Sequence, residues 1–138
     1  MDMPNEVSED RVKELLCLAI EGGILSWACI ESYSYAPGLT ADDFRDGGKF
    51  NLDSYHPAEI IPLVEGCAVN FCDIGNEKEK WSLTREKIIK GLAIMNEKYP
   101  KHYSDFINEN DDPTTGDVFV QCCLFGVAIA LKPLDDTL

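Results

Sequence analysis

The chain has 138 residues, 45% apolar and 27% charged, with a formal net charge of −13. That balance belongs to a globular protein and not to a disordered segment, and a chain of this length buries roughly 70% of its unfolded surface without a disulfide or a metal. The acidity argues against direct binding to nucleic acid or to an anionic membrane, and no apolar run approaches the ~20 residues of a membrane span.

The start, "MDMPNEVSEDR", is acidic and lacks the apolar stretch of a secretory signal. The expected setting is a reducing cytosol, with the six cysteines as thiols. Ser8 is placed to cap a first helix, with Glu9 and Asp10 beside the positive helix end. Val12, Leu15, Leu16 and Ala19 follow at helical spacing, and Gly22-Gly23 supplies a stop. "ILSWACIESYSY" is rich in β-branched and aromatic residues and reads as a strand. Residues 36–58 carry prolines, paired glycines and several aspartates. They read as a long surface connection, with room for a short strand near Phe50–Leu52.

"EIIPLVEGCAVNFCDI" predicts two strands around a turn at Glu65-Gly66, with Pro62 marking the first as an edge or bulged strand. In the second, Ala68 and Asn70 share one face, while Cys67, Val69 and Phe71 share the other. Thr84 then caps a helix, with Leu83 and Ile88 as a hydrophobic staple. Ile88, Leu92, Met95 and Tyr99 form its buried stripe, and Pro100 ends it. "KHYSDFINEN" predicts a short helix packed through Tyr103, Phe106 and Ile107. "DDPTTGD" opens a final helix that runs to about Phe125-Gly126, and "VAIAL" beyond it fits helix or strand. The order of patterns gives an α+β fold in one domain, 1–138: an N-terminal helix, a small antiparallel sheet within 24–74, and three C-terminal helices packed on it.

Charge is uneven along the chain. Residues 76–101 hold seven Lys/Arg against four Asp/Glu, a local +3, whereas residues 1–75 carry −10 and residues 102–138 carry −6. This fits a basic helix within an acidic surface, either balancing charge internally or presenting two opposite faces for association.

Signatures of catalysis are missing: no Gly-rich phosphate loop, no nucleophile elbow and no His-Glu-x-x-His run. Cys67 and Cys72 are the nearest approach to a ligand pair, without the second pair or added histidines that zinc sites show. Hence no cofactor and no metal is expected.

One segment is unusual. "DVFVQCCLFGVAIAL" is apolar on nearly every side except at Asp117 and Gln121, which lie four apart and one helical turn from each other. A helix of that kind is buried, so both groups need partners. Asp117 could help cap its helix and Gln121 could bond neighbouring backbone. Alternatively the pair, with Thr114 or Thr115, lines a pocket whose apolar wall comes from Trp27 and Trp81.

Three stretches occur in a suggestive order: "AIEGGILSWACIESY", "SLTREKIIKGLAIM" and "DDPTTGDVFVQCCLFG", together 45 residues. The ordered set resembles a group of small uncharacterised proteins of bacteriophages and prophages. That group has an early Glu-Gly-Gly before an aromatic and a late Asp-x-x-Thr-x-Asp-x-x-x-Gln-x-x-x-Phe-Gly run. Here the run is Asp112, Thr115, Asp117, Gln121, Phe125 and Gly126. The group's tyrosine-glycine pair after Phe-Gly is replaced by "VAIALKP". The resemblance implies phage origin and brings no activity with it.

The resulting expectation is a non-enzymatic, anti-defence type of accessory protein in the host cytosol. It would bind and inhibit a host or defence protein with a basic surface, without membrane or direct nucleic-acid contact. The long acidic connection, at Asp42, Asp43 and Asp46, is the expected contact. The alternatives are a sponge for a nucleotide-like small molecule, which would use Arg85 with Thr115, Asp117, Gln121 and Trp27, and an uncharacterised small enzyme.

Overall fold

The computed structural model describes residues 2–129. Helix α1 spans Glu9–Leu18 and opens as expected, with Ser8 Oγ accepting from the Arg11 amide. The helix does not stop at its end. It widens into a π-helical turn, Ala19–Gly23. The chain then turns at Ile24–Trp27, and strand β1 occupies Ala28–Ser34, shorter than the apolar run suggested.

Strands β2 (Ala68–Asp73) and β3 (Asn76–Leu83) complete an antiparallel sheet in the order β1-β2-β3. A bulge between Ile30 and Ser32 leaves Glu31 outside the β1–β2 register. The inner face of the sheet buries Val69, Phe71 and Leu83. On the outer face Asn70 donates to Ser32 Oγ and Ser34 Oγ and accepts from Ser82 Oγ, a polar ladder across all three strands.

Two expectations for the sheet need correction. The segment 57–63 holds no strand: it forms two 3₁₀ turns, Pro57–Glu59 and Ile61–Leu63, with Pro62 early in the second. Proline lacks the amide a ladder needs but suits the first turn of a helix. The third strand is instead "NEKEKWSL", paired to β2 through the two-residue turn Ile74-Gly75. Nor is there a strand near Phe50–Leu52, where the connection forms turns.

The helical half follows the sequence closely. Helix α2 is Arg85–Lys98, capped by Thr84 Oγ1. Helix α3 is Pro100–Ile107, with Tyr103 and Phe106 buried. Helix α4 is Pro113–Phe125 and ends at Gly126 in the left-handed conformation, φ 73°. Residues 127–129 are neither helix nor strand, and residues 130 and 131 of "VAIAL" lie outside the described residues. Every residue from Thr115 to Cys123 is buried. Helix α4 is therefore the axis of the core, packed against α2, α1, α3, the π-turn and β3. The fold is α+β: an N-terminal helix, a three-stranded antiparallel sheet and three C-terminal helices. Among the described residues no helix is long and apolar enough to cross a membrane.

Candidate functional site

The two sequence motifs of the termini meet in space. A Cβ on Gly23 would lie 2.2 Å from the Pro113 carbonyl oxygen, and one on Gly116 would lie 2.6 Å from the Ala19 amide nitrogen. Only glycine permits this approach of the π-turn to the start of α4. The capping box at that start is Asp112 with Thr115: Asp112 Oδ1 accepts from the Thr115 amide, and Thr115 Oγ1 accepts from the Asp112 amide. Asp112 thus takes the capping role for which Asp117 was also a candidate.

Asp117 has another use. Its Oδ1 accepts from Trp27 Nε1 at 2.8 Å and from Gln121 Nε2 at 2.8 Å. Asp117 is 1% exposed and Gln121 is 0% exposed. Trp27 stacks edge-on against Trp81, and both rings meet Phe125, with centroids 5.2–5.7 Å apart. The expected tryptophan wall is present, but it closes over the polar pair. Thr115 is 1% exposed and held in its cap. Trp27, Asp117 and Gln121 form a buried hydrogen-bonded network that fixes the last helix to the turn before β1.

Arg85 stands elsewhere, in a cleft of about 440 Å³ lined by Glu65, Gly66, Thr84, Glu86 and Ile89 among others. Its guanidinium donates to the Leu63 carbonyl (2.9 Å) and to Glu9 Oε2 (3.2 Å). The cleft has the volume of a small-molecule site, but two glutamates line it with one engaged arginine. A second cleft of about 200 Å³, on the side of Ile24, Leu25 and Ile74, is apolar.

The acidic connection is far more ordered than its composition suggested. Phe44 is 0% exposed and stacks between Tyr35 and Phe50, at 5.6 and 5.1 Å. Asn51, 1% exposed, donates to the carbonyls of Phe44 and Tyr55 and accepts from the Tyr55 amide. Around this anchor the carboxylates are held in place. Asp43 Oδ2 accepts from the Thr40 amide, Asp46 Oδ1 accepts from Ser54 Oγ, and Asp42 pairs with Arg45 at the surface. Leu52 projects from the tip, 79% exposed.

The foot of this connection meets α1. Asp10, Glu14 and Asp53 surround Tyr55, whose phenol is pushed up first by burial and then by those three carboxylates. The side chains of Asp10 and Glu14 are 77% and 51% exposed. Lys13 lies over the same ring and pairs with Asp10, and Arg11 pairs with Glu14, so the first helix and the connection present one acidic face with cations interleaved in it.

A further cluster was not read from the sequence. Cys17 Sγ, Glu21 and the buried Glu59 bring one donor atom each to within 4.8 Å of one another. Cys17 and Glu21 are four apart on one helical face, which is a visible spacing, but Glu59 arrives from a segment that read as strand. Of the cysteine pair closest to a ligand spacing, Cys67 directly precedes β2 and Cys72 lies near its far end. Cys67 Sγ accepts from the Ala36 amide, and Cys72 faces Cys29 across the β1–β2 ladder, sulfurs 3.0 Å apart.

Comparison with protein families, with characterised proteins and with solved structures finds no match to this chain.

Proposed function

We propose that the protein is a non-enzymatic accessory protein of phage type that docks on a basic protein surface in the host cytosol and inhibits its owner. The observation that supports this most is the acidic face built by α1 and the 40–56 connection. It joins Asp10, Glu14 and Asp42, each in a surface ion pair with a neighbouring Lys or Arg, and the exposed Asp53 to an exposed leucine, Leu52, on a loop pinned by buried Phe44 and Asn51. A pre-ordered loop loses little entropy on binding, and its charge steers a basic partner into place. The sponge reading has less support. A phosphorylated ligand needs clustered cations, whereas Arg85 shares its cleft with Glu65 and Glu86 and already bonds Glu9.

Affinity capture from host lysate, followed by kinetics on the recovered partner, tests the proposal. Asp43 and Asp46 also hold the loop together, so the charge reversals belong at Asp42 and Asp53. The double variant should keep its melting temperature, and association with the captured partner should slow about 10-fold or more at low salt. Raising salt should slow the parent protein similarly, since ionic screening acts over about 10 Å at 0.1 M. A partner bound equally well by the reversed loop and at high salt would show the electrostatic docking idea to be wrong.

A further inference from the structure

The π-turn Ala19–Gly23 follows α1 without a break. Single π turns inside helices are rare and recur at functional sites. Here the turn carries Glu21 one helical step beyond Cys17, and the Cys17 thiol donates to Glu21 Oε2 at 2.8 Å. The 3₁₀ turn Pro57–Glu59 packs on α1 and brings the Glu59 carboxyl against both of those groups. Glu59 is 1% exposed, and its Oε2 is fully buried without a hydrogen-bond partner.

That last atom is the anomaly. A buried carboxyl oxygen without a donor costs about 1–3 kcal/mol. Within the cluster a donor exists only where the thiol or a carboxyl keeps its proton, and the Cys17 thiol already donates to Glu21. Protons now hold it together: burial pushes Glu59 up to about 7, with Glu21 adding to the effect, and burial then the two carboxylates push Cys17 up to about 12. His56 is close enough to lower Glu21. Its Nδ1 accepts from the Ala58 amide, so in the neutral ring Nε2 carries the hydrogen and is not a free ligand.

We propose that Cys17, Glu21 and Glu59 form a binding site for one divalent transition-metal cation of the zinc type, with the fourth position open to solvent on the Glu21 side. The donor set decides the class. A thiolate with two carboxylates suits zinc, cobalt or cadmium, whereas calcium and magnesium take oxygen alone. Zinc–ligand bonds of about 2.0–2.3 Å place tetrahedral donors roughly 3.5 Å apart, so a modest inward rotation of side chains already within 4.8 Å completes the set. The cation displaces the Cys17 proton and the proton held between the carboxyls to solvent, and its charge replaces them. It also partners the orphaned Glu59 oxygen. The site needs nothing from the docking proposal and stands or falls separately from it.

The test uses the full chain, stripped with a chelator and titrated with Co²⁺ alone. Wild type should bind one equivalent and develop the thiolate-to-cobalt charge-transfer band, and Zn²⁺ should abolish that band. Cys17→Ser should lose the band. Glu59→Gln, nearly isosteric, should weaken binding at least about 10-fold, as loss of a ligand or even of its supporting contacts does. The Cys29→Ser/Cys72→Ser pair should leave the titration unchanged. Circular dichroism separates loss of a ligand from loss of fold, and Glu21→Gln, at an exposed position, serves if Cys17→Ser does not fold. A wild-type titration without the band would overturn the proposal. So would a band that survives in Cys17→Ser, or wild-type affinity in both glutamine variants.

Discussion

Trp27 and Asp117, ninety positions apart, are joined by a buried hydrogen bond of 2.8 Å from indole nitrogen to carboxylate oxygen. Gln121 donates to the same oxygen from one turn further along α4. The polar pair inside an otherwise apolar helix is thereby explained: it secures the core helix to the turn that precedes the sheet.

Asp117→Ala leaves the Trp27 and Gln121 donors without this acceptor. It should destabilise the fold by about 2–3 kcal/mol, and Gln121→Ala by about 1–2 kcal/mol. Because the side chains share one network, the double variant should lose less than the sum. Urea denaturation of the three variants measures this, and strict additivity would show that the two groups act alone.

Gly116→Ala places a methyl group 2.6 Å from the Ala19 amide nitrogen, and that neighbour is backbone rather than a flexible tip. The helix and the π-turn must separate, at a cost of about 2 kcal/mol or more. A melting temperature equal to that of the parent would contradict the close approach.

The six thiols should react very unequally. Cys29 is exposed and should label first. Cys17 is half-buried and raised to about 12; Cys72 is raised to about 11 by its hydrogen bond with Cys29 and then by burial; and Cys122 is raised to about 11 by burial. Thiolate is the reactive form, so these should lag far behind until the chain is unfolded. Rapid native labelling of all six would be inconsistent with the core described above.

Glu59 sets a pH dependence in metal-free buffer. Its carboxyl moves from 4.5 to about 7 on folding, chiefly through burial. Between those values the folded protein keeps a proton that the unfolded chain has released, so the contribution of Glu59 to stability is greatest below about 4.5 and falls as pH rises towards 7. The lowered Glu21 opposes part of this trend. Glu59→Gln should flatten the profile and, at about pH 8, exceed the parent by on the order of 1–2 kcal/mol. A parent profile that rises from pH 5 to 7 would show the sign to be wrong.

The helical half was legible because each helix announces itself twice, by a cap and by an apolar stripe. Ser8, Thr84 and Asp112 all accept from the amide three residues on. Strand β3 was not legible. Its residues from Asn76 to Lys80 are exposed, so no alternation in burial marks it, and its backbone bonds to β2 alone define it. The opposite error befell Ile60–Leu63, whose apolar side chains are buried as a strand's would be, although the backbone turns. Of the expected site residues, Asp117, Gln121, Thr115 and Trp27 do gather, but in the interior, while Arg85 and the loop aspartates lie apart from them. Cys17 and Glu21 share a helix face, yet their third member, Glu59, becomes visible only once the misread run folds back on α1.

The meeting of the π-turn with the head of α4 also has a temporal side. A helix buried on nearly every face, whose partners include α1 and the turn after it, closes contacts across roughly the whole described chain. Such long-range closures slow folding. During synthesis, α1, the sheet and α2 emerge before their shared axis exists, with apolar faces uncovered. Native packing must wait for residues near 125 to leave the ribosome, and until then the nascent chain is most exposed to chaperones and to aggregation. Late arrival of one helix therefore makes the acquisition of structure nearly all-or-none, and a truncation before α4 should yield insoluble chains rather than a smaller working protein.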